Sequence, residues 1–215
     1  MKKARDSAEI ERIRSRIIEA ALDIIVEEGF HSLTMRRLAN RLHMSAPNLY
    51  NFFECKEEIY ISIVIKGFQM LYDELDNSYR SCSSPALRAH NLLDTYVRFG
   101  IANKAYYDVM FTRPTPKYND YIGTPYEKLS EVEYRISMDI ARLAMEALKD
   151  VIKDPSEMSE DDIIHNIVKI WSMLHGMVSL ANSNIIGYVA PDMDKTYGRI
   201  VDELVEQYRE TAQLS

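Results

Sequence analysis

Residues 34–58 read TMRRLANRLHMSAPNLYNFFECKEE, and this stretch decides how the rest of the chain is understood. Thr34 and Ser45 each stand just before a run with helical spacing, where a side-chain oxygen accepts from the first unbonded backbone N–H groups of a helix. After Thr34, the residues Met35, Leu38, Ala39 and Leu42 fall on one apolar face, while Arg36, Arg37, Asn40 and Arg41 point away from it. Ser45 opens a second helix, expected to run to about Phe53, with Pro47 in the first turn where a missing N–H does little harm. Leu38, Leu42, Met44, Leu49 and Phe53 are the expected small core.

Upstream, Ile10, Ile13, Ile17, Ala20, Ala21, Ile24 and Ile25 recur at three- and four-residue steps up to Gly29, a residue suited to a left-handed helix stop. Three short helices with two caps eleven residues apart have the spacing of a helix-turn-helix, a motif in which the second helix enters the major groove of duplex DNA. Thr34, Tyr50 and Lys56 are candidates for phosphate contacts, which position the protein without reading sequence. Asn48 and Asn51 offer paired donors and acceptors to adenine, Arg36 suits guanine O6/N7, and Ala46 or Pro47 suits a thymine methyl, with Ser45 at the helix start. The Lys2-Lys3-Arg5 tail either reaches an adjacent groove or is a solvated terminus.

The run from Thr34 to Glu58 resembles the N-terminal domain of TetR-family transcriptional regulators. The likeness covers about residues 10–60: Gly29-Phe30, Leu38-Ala39, Ser45, Leu49-Tyr50, Phe53 and Lys56-Glu57-Glu58 stand where that family has them. One position departs from it. The family usually has glycine in the turn where this chain has His43, so a positive φ there would be mildly strained.

Composition agrees with a helical regulator. The chain has 215 residues, 47% hydrophobic and 27% charged, which excludes collagen-like, disulfide-scaffold and wholly disordered classes. Seven glycines and seven prolines are too few for a many-stranded β fold that turns every 8–12 residues. Cys55 and Cys82 form neither a CxxC pair nor a metal-ligand spacing, and nothing resembles a signal peptide, so a reduced, cytoplasmic protein is expected. Ile170 to Pro191 is uncharged and almost long enough for a membrane span, but its serines, asparagines and His175 favour a buried bundle helix.

Charge divides the chain. Residues 1–56 hold ten basic and eight acidic groups, a net of +2, whereas residues 57–215 hold 16 and 25, a net of −9. The expected organisation is therefore all-α. A homeodomain-like three-helix head is expected at 1–56 and a helical bundle at 57–215, about nine helices in all, the bundle being a ligand-binding and dimerisation domain by the resemblance. A long helix is expected to about Arg80, then helices at about 85–104, 105–111, 125–152, 159–183 and 192–212, the penultimate opened by Ser159-Glu160-Asp161-Asp162 in the manner of a capping box. Prolines at 114, 116 and 125 isolate a loop of about a dozen residues.

The resemblance implies that the body senses a ligand and dimerises. Trp171-Ser-Met-Leu-His175-Gly176 is similar to the WHG motif of one C-terminal subclass of the family. Trp171 and His175 lie four apart on one helix face, and His175 is either a bonded core histidine or a ligand contact. Tyr96, Phe99, Tyr106, Tyr107, Met110 and Phe111 cluster at one helical corner, as plain core or as a pocket wall. Val201, Leu204, Val205 and Tyr208 form an apolar stripe, which packs either within the chain or, with the helices at 159–183 and 192–212, in a homodimer matched to a palindromic site.

The expected function is thus a sequence-specific DNA-binding regulator, a repressor released from double-stranded operator DNA by a small apolar or aromatic effector, without a cofactor, a metal or a membrane partner. A constitutive DNA-binding protein is the alternative. An enzyme finds little support, because GxGxxG, P-loop, GxSxG and HExxH motifs are all missing. Asp161 and His165 share a face, but two ligands without a third do not make a metal site.

Overall fold

Apolar residues at three- and four-residue steps make α1 (Ser7–Glu28), which buries Ile17, Ala21, Leu22, Ile24 and Ile25. Gly29 ends it at φ +87°, a backbone conformation that a side chain would strain, and its N–H bonds Ile25 O at 2.9 Å. The computed structural model describes residues 6–152 and 158–210, so the Lys2-Lys3-Arg5 tail lies outside the described residues. All regular structure among the described residues is helical.

Beyond α1 come α2 (Met35–Arg41), α3 (Ala46–Leu49), α4 (Lys56–Arg80), α5 (Pro85–Ala102) and α6 (Lys104–Tyr107), which widens into a π-helical turn at Asp108–Thr112. Then follow α7 (Tyr118–Tyr121), α8 (Glu127–Val151), α9 (Glu160–Asn182) and α10 (Met193–Glu210). That makes ten α-helices among the described residues where about nine were expected. The extra one is α7, a single turn inside the proline-bounded loop, where the Lys117 N–H bonds the Asp120 carboxylate at 2.8 Å.

The third helix is shorter than the sequence suggests. It stops at Leu49 rather than Phe53, because the Asn51 and Phe52 N–H groups reach back three residues, to Asn48 O and Leu49 O, and tighten the chain into a turn. That turn places Phe52 and Phe53 in the core with Leu33, Leu38 and Leu49. Leu42 and Met44, expected there too, are only half-buried.

The described residues pack as two compact units. One holds the chain to Gln69 with Ala105–Ile136, the other Met70–Lys104 with the chain from Ser137 onward. In the first, Gly67 on α4 allows a close approach of the π-helical turn, since a Cβ there would come within 2.5 Å of Met110 Sδ. Segment 105–113 is also fastened to α1: the Tyr106 hydroxyl and the Lys66 ammonium both donate to Glu19 Oε1, at 2.7 and 2.6 Å, and Arg113 donates to Val26 O at 2.6 Å.

In the second unit α5 packs against both α9 and α10. The stripe Val201, Leu204, Val205 and Tyr208 is buried inside this unit, which corrects its placement at a subunit interface. The reason is pairing: α10 turns its apolar side inward, and the Tyr197 and Tyr208 hydroxyls latch it to α9 at Met177 O (2.6 Å) and Asn166 Oδ1 (3.0 Å). A second correction concerns the uncharged run from Ile170. It is not buried as a whole, for Trp171, Met173, Leu180, Ile185, Tyr188 and Val189 are exposed while Leu174, Met177 and Val178 face inward. No helix among the described residues is long and apolar enough to cross a membrane.

Candidate functional site

Both helix caps of the head are formed. Thr34 Oγ1 accepts from the Arg37 N–H at 3.2 Å, and Ser45 Oγ accepts from the Asn48 N–H at 3.4 Å. Between them His43 takes φ +53°, the strained turn expected from its place in the sequence. Leu38 on α2 and Leu49 on α3 are fully buried, which locks the two short helices together and fixes what they present outward.

Three arginines on α2 are expected to face out, and the structure separates them. Arg37 pairs with Glu28, and Arg41 forks across both oxygens of Glu27 at 2.8 and 2.9 Å, holding that carboxyl below its usual range. These two fasten α2 to α1. Arg36 is exposed and makes no ion pair among the described residues. Beside α3, Tyr50 is 53% exposed, Asn51 is exposed, and its amide reaches the half-buried Asn48 at 3.5 Å. Thr34, Ser45 and Pro47 are also exposed, and Ala46 is half-exposed. Lys56, the first residue of α4, is partly engaged, with its Nζ 5.0 Å above the Phe30 ring and 4.0 Å from Glu57.

In the second unit Tyr96, Trp171 and His175 meet. The Trp171 indole N–H donates to the Tyr96 hydroxyl at 2.8 Å, and that hydroxyl lies 3.3 Å from His175 Nε2. With the Tyr96 oxygen accepting from Trp171, its own proton is placed to go to an unprotonated Nε2. Burial pulls His175 below its ordinary value, which favours that neutral ring. The indole and imidazole centroids are 4.9 Å apart, and Tyr96 meets His175 edge-on at 5.9 Å. The sequence marked all three residues but assigned Tyr96 to an aromatic wall. Its hydroxyl is the hub, a role that helical spacing does not reveal.

The other marked aromatics go elsewhere. Phe99 is buried on α5 in the same unit. Tyr107, Met110 and Phe111 belong to the first unit, where Phe111 packs on Tyr107 and edge-on to Phe68, and Met110 covers Gly67.

One buried polar cluster escaped the sequence reading. Glu133 on α8 is 7% exposed, and burial pushes its carboxyl up to about 7 against the opposing pull of Lys117. The Lys117 ammonium donates to Val109 O, Met110 O and Thr115 Oγ1 at 3.0–3.2 Å. Glu133 is one of four glutamates on α8, and its local pattern does not set it apart from the exposed Glu131 and Glu146.

Comparison with known proteins agrees with this architecture. The family of bacterial regulatory proteins named for tetR matches residues 17–63, and the tetracyclin repressor-like C-terminal domain matches residues 89–204, over half of the chain. The HTH-type transcriptional regulator YobS of Bacillus subtilis is 24% identical over 164 residues, 76% of this chain and 76% of that protein. Among solved structures, the regulatory protein SCO4313 superposes with a TM-score of 0.70 at 19% identity, covering 94% of this chain and all of that one. The fatty acid degradation regulator FadR of Bacillus halodurans gives 0.65 at 15% identity, over 94% and 96% of the two chains. At these identities the structural likeness speaks for the fold, and the matched domains speak for the lineage. One falls on the capped helices of the head and the other on the bundle that holds Tyr96, Trp171 and His175, so the chain belongs to the TetR family of DNA-binding transcriptional regulators.

Proposed function

We propose that this regulator is a cytoplasmic homodimeric repressor, held on a two-fold operator by α3 and released when a small molecule occupies the Tyr96–Trp171–His175 cluster. The observation that carries the reading is the exposed row Arg36, Tyr50 and Asn51 beside Asn48, on two short helices whose other arginines are spent on holding α2 to α1. Arg36, Asn48 and Asn51 read base edges, Ala46 and Pro47 touch a thymine methyl, and Thr34, Ser45, Tyr50 and Lys56 grip phosphates. Residues 1–56 act as the reading head and 57–215 as the sensing and dimerising body.

The dimer forms through α9 with α10 beside it, as two-fold operators require. A hub hydroxyl flanked by two aromatic ring nitrogens supports a largely apolar or aromatic effector with one or two hydrogen-bonding groups. The acidic body favours a neutral or cationic molecule. Phe99, buried on α5 in the same unit as the cluster, is proposed as a further effector contact. Differential binding to two states of the dimer then lowers operator affinity.

Selection of an operator from random duplexes, followed by a thermal-shift screen of small molecules, tests the whole reading. A true effector raises the melting temperature and weakens operator binding. A protein that selects no sequence at moderate salt is not the regulator described. One that selects a sequence but is never released by a stabilising ligand is a constitutive binder.

A further inference from the structure

The outward face of α9 is built for a close helix neighbour. Its centre is small, with Ser172, Gly176 and Ser179 exposed at three- and four-residue steps. The Ser172 hydroxyl donates to Val168 O of its own helix at 2.7 Å, and a Cβ added at Gly176 would meet nothing within 4 Å. Gly176 therefore serves no packing need among the described residues. Large apolar residues line both edges of this face. Ile164, Val168 and Trp171, exposed by 44%, 51% and 44%, stand along one edge, and Met173 and Leu180 along the other. A small centre between apolar rims lets two helix backbones approach closely and bury the rims.

The chemistry of the chain says what covers that face. Residues 57–215 carry a net −9, so two copies repel wherever acidic surfaces meet, whereas the 22 residues from Ile170 to Pro191 carry no Asp, Glu, Lys or Arg. That run supplies most of the outward face. An isologous pair brings the same uncharged surface from both sides, and proteins of this family dimerise. Trp171 belongs to this rim and to the hydrogen-bonded cluster at once, through its indole N–H on Tyr96.

We infer that the Tyr96–Trp171–His175 cluster is a site shared between two copies, its Trp171 side roofed by the outward face of the second copy's α9. This rests on the proposed homodimer through α9. It goes further by making the sensing site incomplete in a single chain. Dimerisation and effector binding are then linked, because a ligand sealed by the roof binds the dimer more tightly than the monomer.

Trp171 is the only tryptophan in the chain, so its emission reports the roof directly. The test follows acrylamide quenching of the full-length protein across a dilution series, with light scattering for mass, beside the Val168→Glu and Ile164→Glu variants. Both substituted positions are exposed, and circular dichroism verifies that the variants fold. The expected result is a dimer with shielded, blue-shifted emission, and a several-fold rise in quenching as it dissociates or in either monomeric variant. A wild-type dimer whose Trp171 is quenched as readily as in the folded monomeric variants overturns the shared site and leaves the homodimer standing. A wild-type monomer at micromolar concentration overturns the homodimer and the shared site together.

Discussion

Trp171 gives its indole proton to Tyr96, 75 residues away in the sequence, across 2.8 Å. The same hydroxyl faces His175 at 3.3 Å, so a single oxygen organises two residues of α9 from its seat on α5.

Replacing Tyr96 by Phe removes this oxygen and leaves the ring. Losing two partly buried hydrogen bonds should cost about 1–2 kcal/mol in stability. Effector response should disappear while operator affinity stays near wild type, and paired denaturation and operator-binding titrations separate these outcomes. Equal effector response in Tyr96→Phe and wild type would remove the hydroxyl from sensing.

The arginines of α2 should behave differently when cut to Ala. Arg36→Ala should weaken operator binding and relax the preference at one base pair, by about 1–3 kcal/mol, and Asn48→Ala should do the same at another. Tyr50→Phe and Lys56→Ala should weaken binding across all sequences, with a shallower salt dependence for Lys56→Ala. Arg41→Ala breaks an exposed, solvent-screened pair with Glu27 and should leave the melting temperature close to wild type. Binding isotherms at several salt concentrations decide among these.

His43 at φ +53° sits where glycine is at ease. His43→Gly should stabilise the protein by up to about 1 kcal/mol, since relief of left-handed strain outweighs the added freedom of the unfolded chain. Melting curves should move up by roughly 2–4 °C for each kcal/mol gained.

Glu133 supplies a pH dependence with a definite sign. Its folded value of about 7 exceeds the ordinary 4.5, so the folded state holds a proton that the unfolded state has released. The stabilisation is complete below 4.5 and is lost as pH rises to about 7. Glu133→Gln keeps a neutral side chain at every pH. Its melting temperature should gain on wild type through that window, by on the order of 2 kcal/mol in stability at the alkaline end. Parallel curves for the two proteins would place the carboxylate in a solvated setting instead.

Leu204→Glu tests where the α10 stripe points. Leu204 is buried within its own unit, so an unpaired carboxylate there should cost roughly 3–5 kcal/mol and unfold that unit rather than yield a folded monomer. Circular dichroism with light scattering distinguishes the two.

Near neighbours decided what was legible in the sequence. The caps at Thr34 and Ser45, the stop at Gly29 and the positive φ of His43 depend on hydrogen bonds and sterics within a few residues, so their local pattern is sufficient. The early end of α3 shows the limit: Asn48 to Phe53 keep helical character, but burial of Phe52 and Phe53 draws the chain into a turn. An amphipathic stripe states that a helix will bury a face, without naming the surface it meets. Only tertiary packing turned the Val201–Tyr208 stripe inward and left the small-centred face of α9 outward. The Tyr96 hub and the buried Glu133 near Lys117 follow the same rule, because contacts between distant segments depend on how whole helices are seated, and residue spacing carries no record of that.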